Sequence, residues 1–64
     1  MQANLTTEQL ELIRQELTAG RSPDAVAGYF ARVADLEADE EVIVRDAALA
    51  IFRGEEVTSA IDPE

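Results

Sequence analysis

The chain contains no cysteine, no histidine, no lysine and no tryptophan among its 64 residues. Without cysteine it forms no disulfide, and without cysteine or histidine it lacks the usual nitrogen and sulfur ligands of a zinc site. Without histidine there is also no serine–histidine or cysteine–histidine pair for nucleophilic catalysis. With only three aromatic residues, there is little material for a substrate pocket. We therefore expect no enzyme, no metal, no cofactor and no small-molecule substrate.

Long apolar runs are missing as well. The longest unbroken apolar stretch covers residues 47–52, whereas a membrane-spanning helix needs roughly 20 such residues. The opening Met-Gln-Ala-Asn lacks the basic region followed by an apolar region that marks a secretory signal. The sequence therefore predicts a cytoplasmic protein that makes no contact with a membrane.

Acidic residues dominate the charge of the chain. Fourteen acids against five bases, all of them arginine, give a formal net charge of −9. An excess of this size repels phosphate and anionic lipid, and it favours a basic partner protein or simply solubility. Residues 20–27 resemble the start of a helix-turn-helix motif, but the element that would enter the DNA groove then carries the acids of residues 35–41. We therefore expect no nucleic-acid partner.

The apolar spacing predicts a single helical domain spanning residues 1–64. The predicted helices cover, in order, about residues 6–19, 22–36 and 39–53, and residues 55–64 form a tail. Thr6 and Gln9 have capping-box spacing at the start of helix 1, and Gly20 provides its end. Ser22 is the expected N-cap of helix 2, with Pro23 in the first helical position.

The same spacing predicts which faces of the helices are buried. In helix 1 the inner residues are Leu10, Ile13 and Leu17, and in helix 2 they are Val26, Phe30 and Val33, flanked by Tyr29. In helix 3 an arc of about 200° is apolar, and it comprises Ile43, Val44, Ala47, Ala48, Ala50, Ile51 and Phe52. A 64-residue chain offers little bulk to cover so wide an arc, which favours contact with another chain.

An acidic segment separates helix 2 from helix 3. A continuous helix would turn Glu37, Glu40 and Glu41 toward the core, where unpaired carboxylates cost several kcal/mol each. We therefore predict a break near residues 36–39, with Asp39 capping helix 3. One continuous helix through this segment is the alternative.

The acidic segment also has part of the spacing of a calcium-binding EF-hand loop. Asp35, Glu37, Asp39 and Asp46 fall at positions 1, 3, 5 and 12 of such a loop. However, position 6 is Glu40 where the turn needs glycine, and position 12 is not the bidentate glutamate. The remaining interpretations are a solvated helix connection or an acidic patch that meets a basic partner. That patch comprises Asp35, Glu37, Asp39, Glu40 and Glu41.

Helix 3 carries apolar residues outside its arc, which suggests an interface. The candidate interface residues are Val42, Arg45, Asp46, Leu49 and Arg53. Because this face has apolar centres and both signs of charge, an antiparallel two-fold pairing of helix 3 would be self-complementary. The alternative is that Val57 and Ile61 of the tail, in one more helical turn, cover Val42 and Leu49.

These observations predict an all-α fold, a small three-helix bundle with a possible short fourth turn, completed by homodimerisation. The expected function is that of an acidic protein–protein interaction module that binds a partner without catalysis. One alternative is an obligate accessory subunit of a larger complex. Another is an acidic inhibitor of a basic protein, similar in size and charge to antitoxins, nuclease immunity proteins and inhibitors that mimic nucleic acid.

Overall fold

Residues 1–62 form three α-helices and a short parallel strand pair in the computed structural model, which describes this part of the chain. In chain order the elements are β1 Gln2–Ala3, α1 Thr7–Thr18, α2 Pro23–Val33, α3 Ala38–Phe52 and β2 Thr58–Ser59. The prediction of a small, mostly helical protein with three helices is confirmed, and the structure adds a strand pair of two residues each, which the sequence did not predict. Within residues 1–62 no helix has the length and apolar character that crossing a bilayer requires.

The first two helices begin at the predicted caps. Thr6 Oγ1 accepts a hydrogen bond from the Gln9 N–H at 3.1 Å, and Gln9 Oε1 accepts one from the Thr6 N–H at 2.8 Å. Ser22 Oγ accepts a hydrogen bond from the Ala25 N–H at 3.1 Å, with Pro23 in the first helical position. These bonds satisfy amide groups that the first turn of a helix leaves without partners.

All three helices end in the same motif, with one residue in the left-handed region. These residues are Gly20 at φ 98°, Asp35 at φ 54° and Gly54 at φ 87°. The N–H that follows each of them donates to a carbonyl five residues back, in the pairs Arg21–Glu16, Leu36–Ala31 and Glu55–Ala50. This is the Schellman arrangement, which supplies donors to carbonyls at the end of a helix. Asp35 occupies the position that glycine usually takes.

The chain breaks between the second and third helices, as the acidic segment predicted, but α2 ends earlier and α3 has a different N-cap. Helix α2 ends at Val33 rather than near residue 36, because Asp35 adopts the left-handed conformation. The N-cap of α3 is Glu37 rather than Asp39, which lies inside the first turn. The N–H of Glu37 donates to Oε1 of Glu40 at 3.3 Å. Carboxylates of this segment therefore accept backbone hydrogen bonds at the start of α3 and lie at the surface.

One core cluster holds the three helices and the two strands together. Its buried members are Ala3, Leu5, Leu10, Ile13, Val26, Ala27, Phe30, Val44, Ala47, Ala48, Ala50 and Val57. Five of these twelve residues are alanines, which allow close approach of the backbones but bury little apolar area. The most extensive contact between two elements joins α2 and α3.

Two predicted inner residues and the flanking Tyr29 lie at the surface instead. Val33 is 69% exposed, Phe52 is 66% exposed and Tyr29 is 41% exposed. The buried stripe of α2 is narrower than the sequence suggested, because it centres on Val26, Ala27 and Phe30. Phe52 lies at the edge of the wide apolar arc of α3, beyond the part that the small core covers. The core is therefore smaller than predicted, and apolar surface remains uncovered.

The C-terminal segment is not a fourth helical turn, which corrects the prediction. Thr58–Ser59 pairs in parallel with Gln2–Ala3, and the preceding Val57 is fully buried. Ser59 Oγ donates to the Leu5 carbonyl at 2.6 Å. Sequence periodicity could not reveal this pairing, because two-residue strands have no detectable alternation and their partners lie at opposite ends of the chain. The last two residues of the predicted tail, 63–64, lie outside the described residues.

Two glycine substitutions test the helix ends. Gly20→Ala should lower the free energy of unfolding by about 1 kcal/mol, because a side chain disfavours the left-handed conformation. Gly28→Ala is the matched control inside α2, and it should raise that free energy by roughly 0.5–1 kcal/mol through helix propensity. At both positions an added Cβ would meet no atom within 4 Å, so steric clash does not complicate the comparison. Urea denaturation measures the free energy of unfolding of both variants. Equal effects of the two substitutions would contradict the role of Gly20 as the left-handed residue that ends α1.

Candidate functional site

Four of the five predicted interface residues share one exposed face of α3. Val42 and Leu49 are 46% and 37% exposed, and they lie seven residues apart, which is two helical turns. Asp46 and Arg53 are exposed on the same side. We call the set Val42, Arg45, Asp46, Leu49 and Arg53 the α3 outer face. It has an apolar centre bordered by one acid and two arginines.

Arg45 is tied to its own chain rather than free on this face. Its Nε lies 3.2 Å from Oδ1 of Asp24 on α2, and its Nη2 lies 3.8 Å from Glu41. The side chain is half-buried, so these pairs contribute modestly to stability. The Arg45–Asp24 pair links α3 to the start of α2, and it leaves Asp46 and Arg53 as the more accessible charges of the α3 outer face.

The tail does not cover the α3 outer face, so that alternative is wrong. Val57 is buried next to α1, where Nη2 of Arg14 donates to its carbonyl at 2.7 Å. Ile61 lines a surface cavity with Leu36 and Ile43. Val42 and Leu49 therefore remain open to solvent within the part of the chain that the structure describes.

The structure brings together only part of the predicted acidic patch. Carboxylate oxygens of Glu37, Asp39 and Glu40 lie within 4.8 Å of one another, and all three residues are exposed. Asp35 ends α2, and Glu41 faces Arg45. Two of the clustered carboxylates accept backbone N–H groups at the start of α3, Glu40 from Glu37 and Asp39 from Glu40. Capping of the positive end of the helix therefore explains why these acids cluster.

A second apolar surface lies between α1 and α2, and sequence reasoning found only part of it. Leu12 is 44% exposed, and it faces Tyr29 and Val33 across a cavity of about 220 Å³. This α1–α2 groove is lined by Gln9, Leu12, Glu16, Tyr29, Phe30, Val33 and Ala34. In the sequence pattern Leu12 lies nearly opposite the inner stripe of helix 1, whereas Val33 falls on the inner face of helix 2 with Tyr29 beside it. Their spacing of four residues along one edge of α2 was the available signal.

The arginines do little to offset the acidic surface, because most of them are engaged within the chain. Arg14, Arg21, Arg45 and Arg53 each have a carboxylate within 4 Å. Among residues 1–62, Arg32 is the arginine without such a partner. The acids without an arginine within 4 Å in the same part of the chain are Glu8, Asp35, Glu37, Asp39, Glu40, Asp46, Glu56 and Asp62. The charge presented to a partner is therefore mainly negative.

Comparison of the chain with protein-family models, with curated proteins and with solved structures found no match.

We predict that the acidic cluster of Glu37, Asp39 and Glu40 binds neither calcium nor magnesium tightly. The cluster lacks the glycine turn and the bidentate glutamate of an EF-hand, and two of its carboxylates already accept backbone hydrogen bonds. Isothermal titration calorimetry should therefore detect no binding tighter than about 10⁻⁵ M. Tighter calcium binding that Glu40→Gln removes would show that the cluster is a metal site.

Proposed function

We propose that this chain is a small acidic protein–protein interaction module that works as a homodimer and acts by binding a partner protein, without catalysis. The observation that carries the proposal is the α3 outer face, where Val42 and Leu49 stay exposed because the tail packs beside α1 instead. A second copy of the chain is the occupant that this face fits best, because the face is complementary to itself.

The self-complementarity follows from an antiparallel register of two α3 helices. If Val42 of one copy lies opposite Leu49 of the other, the two-fold axis passes between Arg45 and Asp46. Arg45 then lies opposite Asp46 of the second copy. In the same register Arg53 lies opposite Ala38, next to the acids at the start of α3. Each apolar residue thus meets an apolar residue, Asp46 meets an arginine, and Arg53 lies near the acids at the start of the other α3.

The acidic surface supports a basic protein as the further partner. Eight acids within residues 1–62 have no arginine within 4 Å, whereas a single arginine lacks a carboxylate at that distance. A surface with this imbalance attracts a positively charged protein and speeds its association.

Leu49→Asp tests the homodimer. The substitution should weaken dimerisation by about a thousandfold, because each dimer loses the contact twice and each loss costs about 2 kcal/mol. The monomer should stay folded, since Leu49 is partly exposed and its neighbours include Arg45 and Arg53. Sedimentation velocity measures the association, and far-ultraviolet circular dichroism measures the helix content.

Two control variants separate loss of the dimer from loss of the fold. Ile51→Asp places a charge against the core and should unfold the chain. Val33→Asp places the same charge on the exposed α1–α2 groove and should leave the dimer intact. A wild-type monomer at all accessible concentrations, or a dimer that Leu49→Asp leaves unchanged, would contradict the proposal.

Engineered cysteines test the antiparallel register of the two α3 helices. Because the sequence contains no cysteine, no native thiol competes with them. Asp46→Cys lies beside the proposed two-fold axis and should form a disulfide between two identical chains under mild oxidation. Val42→Cys should not, because its two copies would be about 10 Å apart along the helices. A mixture of Val42→Cys and Leu49→Cys chains should cross-link with each other. Non-reducing electrophoresis detects the disulfide-linked dimers in all three experiments. Efficient cross-linking of Val42→Cys chains with one another would contradict the register.

A further inference from the structure

The α1–α2 groove is left open by every described element of its own chain. Helix α3 packs on a different side of α2, where Arg45 meets Asp24. The terminal strands lie on a different side of α1, where Arg14 meets Val57. Leu12, Tyr29 and Val33 of the groove lie outside the core cluster, and Phe30 belongs to the core and forms the floor of the groove.

The shape of the groove fits a helix. Its walls are two helices, so no free strand edge is available to pair with an extended peptide. Gln9 and Glu16 mark its length along α1, and their seven-residue separation corresponds to about 10 Å. The same distance separates residues i and i+7 of a partner helix, so two or three apolar side chains on one helix face span the groove.

The charges at the two ends of the groove differ. At one end Gln9 follows Glu8 and Ala34 precedes Asp35, and Glu40 lines the adjoining cavity together with Gln9. Within residues 1–62, none of these three acids has an arginine within 4 Å. At the opposite end Arg21 pairs with Glu16. The unpaired negative charge is therefore concentrated at the first end.

We propose that the α1–α2 groove binds an amphipathic helix of the partner protein, an inference that rests on the function proposed above and names its docking surface. The helix places apolar side chains at i, i+4 and i+7 against Leu12, Tyr29 and Val33. Lysine or arginine at one end of the helix meets Glu8, Asp35 and Glu40. The apolar contact supplies affinity, and the charged end sets the direction in which the helix lies.

Tyr29 provides a direct test, because it is the only tyrosine and the chain has no tryptophan. The probe is a synthetic alanine-based helical peptide without aromatic residues, carrying leucine at i, i+4 and i+7 and lysine and arginine at one end. Binding in the groove should change the emission of Tyr29 in a saturable way. A matched peptide with glutamate in place of the basic residues should bind at least about tenfold more weakly.

Two variants of the protein complete the experiment. Val33→Glu should weaken binding of the basic peptide by about tenfold or more, since it places a carboxylate at the apolar contact. Phe52→Glu, at the exposed end of α3 and outside both surfaces, should leave peptide binding unchanged. Equal binding of both peptides would overturn the assigned charge preference, and no change in Tyr29 emission would overturn the groove as a docking surface.

Sedimentation of the same samples separates this inference from the homodimer. A dimer that fails to bind the peptide overturns the groove inference and leaves the proposed dimer standing. A monomer that binds the peptide supports the groove inference although the dimer has failed. A third outcome concerns the protein without peptide. If its Tyr29 emission changes with protein concentration, and Val33→Glu abolishes this change, then a second copy of the chain occupies the groove. That result overturns the inference of a partner helix.

Discussion

The pairing of the two chain ends is the contact on which the rest of this fold depends. Gln2–Ala3 and Thr58–Ser59 form only two residues of parallel sheet, yet they bring Ala3, Leu5 and Val57 into the core. The helices contribute many alanines to that core and therefore bury little apolar area by themselves. The terminal segments supply the missing bulk, and Asp62 also accepts the Thr7 N–H at the start of α1 at 2.7 Å.

The same pairing explains why two apolar surfaces remain open. Because the tail packs beside α1 and the N-terminal strand, it is not available to cover the α3 outer face. Helices α2 and α3 share the most extensive contact, and the far edge of α2 is left with Tyr29 and Val33 facing Leu12. Within residues 1–62 no further helix or strand is placed there. Small domains bury a low fraction of their surface, and among residues 1–62 five of the eight exposed large apolar side chains lie in these two places.

Local signals predicted most of the backbone, and long-range packing accounts for what they missed. Thr6, Ser22 and Gly20 act within a few residues of their own position, so the sequence identified these helix ends correctly. Asp35 was not recognised as a left-handed residue, since aspartate adopts that conformation only in a suitable context. The spacing of Tyr29 and Val33 places them on one edge of α2, but their exposure could not be predicted, because it depends on how α1 and α2 pack. The predicted residues of the α3 outer face do share one face, but Arg45 turns toward Asp24, a contact that no spacing along one helix reveals.

The parallel pairing of the chain ends also has a consequence for folding kinetics. The helices α2 and α3 are neighbours in the chain and can associate through short-range contacts, whereas the strands join residues 56 positions apart. Closing a loop of that length costs roughly 3–4 kcal/mol of chain entropy, and two residue pairs of sheet cannot offset this cost alone. The strands therefore form after the helices have brought the ends together, so their contacts contribute little to the folding transition state. Substitutions near Val57 should accordingly speed unfolding more than they slow folding.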